Sequence, residues 1–134
     1  MLGNQIGEDK GKVTGQRVID ANGPKIEVSF SASGKYVGID VTNTATYWFI
    51  PQAANLLYGE GQGVIMSKKD VDMIAWTAQG IGNFTSPGKV RFRGSVFFRT
   101  SLAGKLSSLD NAVGVFEHES DDMGNTSTTV WEWK

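Results

Sequence analysis

The chain has 134 residues, no cysteine, and 13 Lys and Arg against 14 Asp and Glu, which gives a formal net charge of −1. This length predicts a single domain, residues 1–134, whose hydrophobic core is large enough to be stable without disulfides or bound metal. The lack of cysteine excludes disulfides and thiolate metal sites. A charge so close to neutral gives no overall basic field. We therefore expect neither nucleic acid nor a membrane as a partner.

The first residues of the chain are polar and rich in glycine. Residues 1–12 lack the apolar run of a secretion signal, and no apolar stretch elsewhere is long enough to span a bilayer. We therefore expect a cytoplasmic protein in which residues 1–11 are flexible.

Apolar and polar side chains alternate with a period of two along most of the chain, as in half-buried strands. This pattern predicts the strands Lys12–Ile19, Lys25–Ser33, Lys35–Phe49, Leu56–Met66, Val71–Ile81, Lys89–Arg99, Ala112–Glu119 and Thr126–Trp133. The clearest is Lys89–Arg99, in which Val90, Phe92, Val96 and Phe98 occupy one face.

Short connections with turn residues separate these strands. They contain Asn22-Gly23-Pro24, Ser33-Gly34, Pro87-Gly88 and Gly124-Asn125, which accept a positive φ or fix φ near that of a turn. Connections this short favour antiparallel hairpins between neighbouring strands. Pro51–Leu57 and Ser101–Asn111 fit brief helical turns, since the first begins with proline and the second carries leucines at helical spacing.

Glycines at alternate positions distinguish a barrel from a sandwich. Gly59, Gly61 and Gly63 share one face of a predicted strand, and Gly80 and Gly82 share a face with Trp76 of the next. Glycines on an inward face let a sheet coil sharply and leave room for a large ring. We therefore predict an all-β fold, an antiparallel up-and-down β-barrel of about eight strands, with a β-sandwich as the alternative.

The same glycines belong to a loosely repeated series. It consists of Tyr58–Gly63, Trp76–Gly82, Arg93-Gly94-Ser95 and Gly104-Lys105-Leu106 before the strand Val113–Glu119. The series resembles the hairpins of small eight-stranded barrels of the allene oxide cyclase and dirigent type, including uncharacterised bacterial barrel proteins. The resemblance implies an antiparallel barrel with a cavity, often in a homo-oligomer. It transfers no catalytic residue to this chain, because one scaffold carries many chemistries.

Three residues are candidate catalytic acids or bases: Glu60, Glu117 and His118. His118 is the only histidine of the sequence, which excludes a two-histidine metal site, and we expect neither a metal nor another cofactor. His118 alternates with Phe116 on the face that we expect to be inward. It is then either a hydrogen-bonded side chain at the barrel rim or an acid or base in a cavity.

Glu60, Arg93 and Glu117 belong to a set of polar residues on neighbouring strands. We expect this set on the outside, as solvated cross-strand pairs, because the apolar residues that alternate with it form the better core. If the set faced inward, its charges would have to be mutually paired.

We predict a non-enzymatic binder of a small, largely apolar ligand, since barrels of this size can hold one small molecule. The predicted ligand-binding residues are Trp48, Trp76, Phe92, Arg93, Phe98 and Phe116. One alternative is a cyclase or isomerase that uses a cavity carboxylate or His118. Another is a structural protein that assembles through its barrel surface.

Three consecutive rings, Tyr47, Trp48 and Phe49, also bear on assembly. Successive side chains of a strand point to opposite faces, so at least one of these rings is exposed or covered by a partner. This pattern predicts a homo-oligomer.

Overall fold

The computed structural model describes residues 2–99 and 104–134. In these ranges the strands are β1 (Leu2–Asp20), β2 (Lys25–Tyr36), β3 (Ile39–Ala53), β4 (Leu56–Ser67), β5 (Met73–Ser86), β6 (Lys89–Arg99), β7 (Val113–Ser120) and β8 (Asn125–Trp133). Each strand pairs antiparallel with the next, and β8 pairs with β1. The predicted up-and-down antiparallel barrel of eight strands is therefore confirmed, and the sandwich alternative is wrong.

The first strand begins at Leu2, well before the predicted start at Lys12. The segment 2–11, which we expected to be flexible, pairs with both β2 and β8 and closes the barrel. The alternating pattern is hidden here because Gly7 and Asp9, rather than large apolar residues, take buried positions.

The turn between β2 and β3 is not at Ser33-Gly34 but at Val37 and Gly38, whose φ angles are 46° and 79°. Gly34 instead lies within β2, where a Cβ atom would approach the backbone oxygen of Glu8 to 1.9 Å. The glycine therefore permits a close approach of two strands. Pro51–Leu57 likewise forms no helical turn, because β3 continues to Ala53.

A short 3-10 helix over Lys105–Asn111, here called the plug helix, fills one end of the barrel. Leu106 and Leu109 lie three residues apart, on one face of such a helix, and both are buried among the inward side chains of the barrel. The backbone N–H of Leu106 donates to Asp72 Oδ2 at 2.9 Å. The predicted helical segment is thus confirmed over 105–111, whereas residues 101–103 lie outside the described residues.

The opposite end, here called the mouth, carries the β1–β2, β3–β4, β5–β6 and β7–β8 turns. The β1–β2 hairpin extends beyond it, since β1 pairs with β8 as far as Lys12 but with β2 as far as Asp20. Within 2–99 and 104–134, no helix is long and apolar enough to cross a bilayer.

Candidate functional site: a cavity inside the barrel

A cavity lies inside the barrel, and its volume is about 70 Å³ when counted as the space open to the centre of a water molecule. One water needs about 10–15 Å³, so the cavity has room for a few waters, and its volume is about half of the roughly 150 Å³ of an engineered apolar cavity that binds benzene. The rings that line it are Phe30, Tyr36, Tyr47, Trp76, Phe92, Phe98, Phe116 and His118. Since the plug helix fills one end, the cavity opens toward the mouth.

Glycines form the wall of the cavity on β4 and β5. A Cβ atom on Gly63 would lie 2.5 Å from the indole of Trp76, and one on Gly82 would lie 2.4 Å from the ring of Phe92. Real Cβ atoms do not approach other atoms so closely, so the rings occupy the space that side chains would fill. The inward glycines thus make room for large rings, as the sequence predicts.

Another part of the wall is built from buried hydrogen-bonded side chains. Trp76 Nε1 donates to Asn43 Oδ1 at 2.9 Å, and Asn43 Nδ2 donates to Asp9 Oδ2 at 3.1 Å. The Tyr36 hydroxyl donates to the same oxygen of Asp9 at 2.8 Å. This network fixes Trp76 and Tyr36, both of which line the cavity.

Burial decides how the groups of this network titrate. It raises the pKa of the Asp9 carboxyl, and the hydrogen bonds from Asn43 and Tyr36 partly offset this rise. Burial, together with the neighbouring Asp9, raises the pKa of the Tyr36 hydroxyl well above its ordinary value. Tyr36 therefore stays protonated and remains a donor.

His118 lines the cavity on β7 and is buried. Its Nδ1 lies 2.8 Å from Thr128 Oγ1, whereas its Nε2 is buried without a hydrogen-bond partner in the ranges 2–99 and 104–134. The ring stacks on Phe30 and meets Tyr47 edge to face. Burial lowers the pKa of His118 to about 4, so the imidazole is neutral at neutral pH.

Thr128 lies opposite Asp9 in the pairing of β8 with β1, and its hydroxyl lowers the pKa of the Asp9 carboxyl. A hydroxyl can both donate and accept a hydrogen bond, so the bond between Thr128 and Nδ1 is compatible with either tautomer of His118. In both tautomers Nε2 is the nitrogen left to pair with a ligand.

Of the predicted ligand-binding residues, Trp76, Phe92, Phe98 and Phe116 line the cavity. Trp48 and Arg93 lie on the outer face. Tyr47 and Phe49 face inward, so the alternation of the strand places Trp48 outside, where its ring lies 5.9 Å from that of Tyr58 and Lys25 Nζ lies 4.2 Å from its centre.

Of the three candidate acids and bases, the structure brings the side chain of His118 to the cavity. The exposed Glu60 side chain accepts a hydrogen bond from Tyr58 at 2.6 Å. Glu117 accepts one from Arg91 Nε at 2.8 Å on the outer face. The polar set that contains Glu60, Arg93 and Glu117 is thus outside, as expected.

The sequence analysis did not identify Asp9, Asn43 or Thr128 as parts of the site. A signal existed for Asn43, because it alternates with Val41 and Ala45 and is therefore inward. An amide at an apolar position indicates a buried polar partner. For Asp9 and Thr128 the neighbouring residues gave no comparable signal.

No protein-family model matches the chain, and no curated protein matches it. A protein with unknown function from Clostridium acetobutylicum ATCC 824 is similar in structure, with a TM-score of 0.81, 13% identity and 98% of each chain covered. A conserved protein of unknown function from Rhodopseudomonas palustris has a TM-score of 0.78 and 13% identity, over 98% of this chain and 97% of its own.

These structural neighbours are uncharacterised bacterial proteins with an eight-stranded barrel fold. At 13% identity the likeness shows the fold alone. The comparisons show no link to allene oxide cyclases or dirigent proteins.

Proposed function

We propose that the protein binds a small, largely apolar ligand inside the barrel without transforming it. The observation that carries the proposal is the aromatic-lined cavity of about 70 Å³, closed by the plug helix and open toward the mouth. Aromatic walls offer a large and rigid contact area. A mostly apolar pocket with a few polar groups is the usual form of a small-molecule site.

The acid and base groups favour binding over catalysis. The cyclase or isomerase alternative needs a general base whose pKa lies near the working pH. His118 has a pKa of about 4, which makes it a weak base. Glu60 borders the cavity between Gly59 and Gly61, but its exposed carboxylate is hydrogen-bonded to Tyr58 on the outer face. Glu117 is hydrogen-bonded to Arg91 on the same face, so neither carboxylate points into the cavity.

The experiment that tests this proposal is native mass spectrometry of the protein purified from its own host, repeated after denaturation. We expect an added mass of a small organic molecule that is lost on denaturation. A bare mass, combined with no chemical-shift change when toluene or phenol is added at millimolar concentration, would overturn the proposal.

We also propose that the protein forms a homo-oligomer, and an apolar row on the outer face supports this. The row consists of Phe97, Val113, Trp133 and Leu2. Phe97 pairs with Val113, and Leu2 pairs with Trp133. Val113 and Trp133 are also neighbours, because the residues next to them, Gly114 and Glu132, pair with each other. Each of these four side chains is at least 42% exposed. Contiguous exposed apolar surface marks an interaction site, and a second copy of the chain is the partner that we propose.

A further inference from the structure

We infer that the ligand carries one hydroxyl group that hydrogen-bonds to Nε2 of His118, so that the site selects neutral apolar compounds with one hydroxyl, for which phenol serves as the probe. This inference rests on the proposed function and names the chemical class of its ligand. Nε2 belongs to a side chain that lines the cavity, and it is buried without a partner among the residues that the structure describes. Buried polar atoms of this kind are rare in folded proteins and call for a partner.

The neighbours of His118 leave Nε2 as the nitrogen that meets a ligand. Nδ1 is bonded to the hydroxyl of Thr128, whereas Nε2 faces the cavity without such a bond. A hydroxyl satisfies Nε2 in either tautomer of the ring, because it can donate to a lone pair and can accept from an N–H. A ligand without a polar group would leave the buried nitrogen unsatisfied, at a cost in binding free energy.

The walls around His118 specify the rest of the ligand. Phe30 stacks on the imidazole, Tyr47 meets it edge to face, and Phe92 meets Tyr47 edge to face. These rings give the ligand rigid apolar walls. The part of the chain that the structure describes contributes no Lys or Arg to the lining, so a carboxylate or phenolate would be buried without a counter-charge. The hydroxyl is therefore neutral when bound.

The test compares phenol with toluene, which has nearly the same shape but no donor. Binding of each to the wild type and to His118→Phe is measured at pH 7 by titration calorimetry or by chemical-shift titration. Phe keeps a ring against Phe30 but removes Nε2. We expect the phenol-to-toluene affinity ratio to fall by about fivefold to tenfold in the variant, the value of one hydrogen bond. Glu117→Gln, on the neighbouring outer position, is the matched control and leaves the ratio unchanged.

A second readout does not depend on the folding of a variant. Because the chain has one histidine, its imidazole nitrogens give a single set of ¹⁵N signals. We expect phenol, but not toluene, to shift the Nε2 signal in the direction of hydrogen bonding.

The outcomes separate this inference from the proposed function. If phenol and toluene both bind, the ratio is the same in His118→Phe and the Nε2 signal does not respond, the inference is overturned and the apolar binding site stands. If neither compound binds, both the inference and the proposed function fail.

Discussion

The imidazole of His118 stacks on the ring of Phe30, with the ring centres 4.8 Å apart and the planes 30° from parallel. His118 lies on β7 and Phe30 on β2, so this contact spans the interior of the barrel rather than joining neighbouring strands. It shields the imidazole from water on one face. Burial of this kind disfavours the charged form of the ring.

We predict that acid destabilises the fold through His118. Its pKa is about 4 in the folded protein against an ordinary value of 6.5, so the unfolded chain binds more protons between these values. The free energy of unfolding therefore falls as the pH drops from 6.5 to 4, by about 3 kcal/mol in total. Urea denaturation at a series of pH values measures this change.

His118→Phe is the control for this prediction because it removes the titration. The raised pKa of Asp9 acts in the opposite direction, since the folded protein then holds its proton more tightly than the unfolded chain, but it acts in both proteins. The difference between wild type and variant therefore isolates His118. A difference that stays constant from pH 7.5 to 4.5 would contradict the prediction.

Tyr36→Phe should destabilise the protein by about 1–3 kcal/mol, because it leaves the buried carboxylate of Asp9 with one donor fewer. The lost bond is the one of 2.8 Å from the hydroxyl to Oδ2. Tyr58→Phe is the comparison, since it removes a tyrosine hydroxyl that bonds to Glu60 on the outer face. Equal decreases in the free energy of unfolding of the two variants, measured by urea denaturation, would show that the buried hydrogen bond stabilises the protein no more than the exposed one.

Gly63→Ala should cost about 1–3 kcal/mol through overpacking. The new Cβ atom would lie 2.5 Å from the indole of Trp76, and the indole cannot move without straining its bond to Asn43. We also expect toluene binding to weaken, since a displaced indole enters the cavity. Gly15→Ala, where no atom lies within 4 Å of the new Cβ, should leave both quantities nearly unchanged. A full-strength toluene site in Gly63→Ala would argue against this placement of Trp76.

The double variant Phe97→Ser, Trp133→Ser should be monomeric where the wild type is oligomeric, because it removes two large side chains from the outer apolar row. Light scattering coupled to gel filtration gives the mass of each. Phe84→Ser is the control, since Phe84 is 48% exposed but lies outside the row. A monomeric wild type at micromolar concentration would refute the proposed self-association.

The alternation of side chains in the sequence predicted the strands and the inward positions of Trp76, Phe92, Phe98 and Phe116, and the alternating glycines predicted the barrel. The alternation did not place Trp48, because a run of three rings has no period of two until its neighbours are assigned to a face. The buried polar residues Asp9, Asn43 and Thr128 were beyond such reasoning. Asp9 and Asn43 are 34 residues apart in sequence, and only the register of three paired strands brings them together.

His118 shows the same limit of reasoning from a local sequence pattern. Its phase with Phe116 gave its face correctly, but both a rim position and a cavity position were compatible with that face. The structure resolves this through contacts with β2 and β8. Those contacts depend on how the sheet closes, which a local pattern does not encode.

The plug helix gives the barrel a blind end, with Leu106 and Leu109 buried in its floor. A molecule inside can then leave only by the route through which it entered, and a second molecule cannot displace it from behind. Ligand exchange is therefore sequential, because a competitor can enter through the mouth only after the bound molecule has left. The dissociation rate of a bound ligand should therefore be independent of competitor concentration. Residence time, rather than affinity alone, would then control how fast the protein releases its ligand.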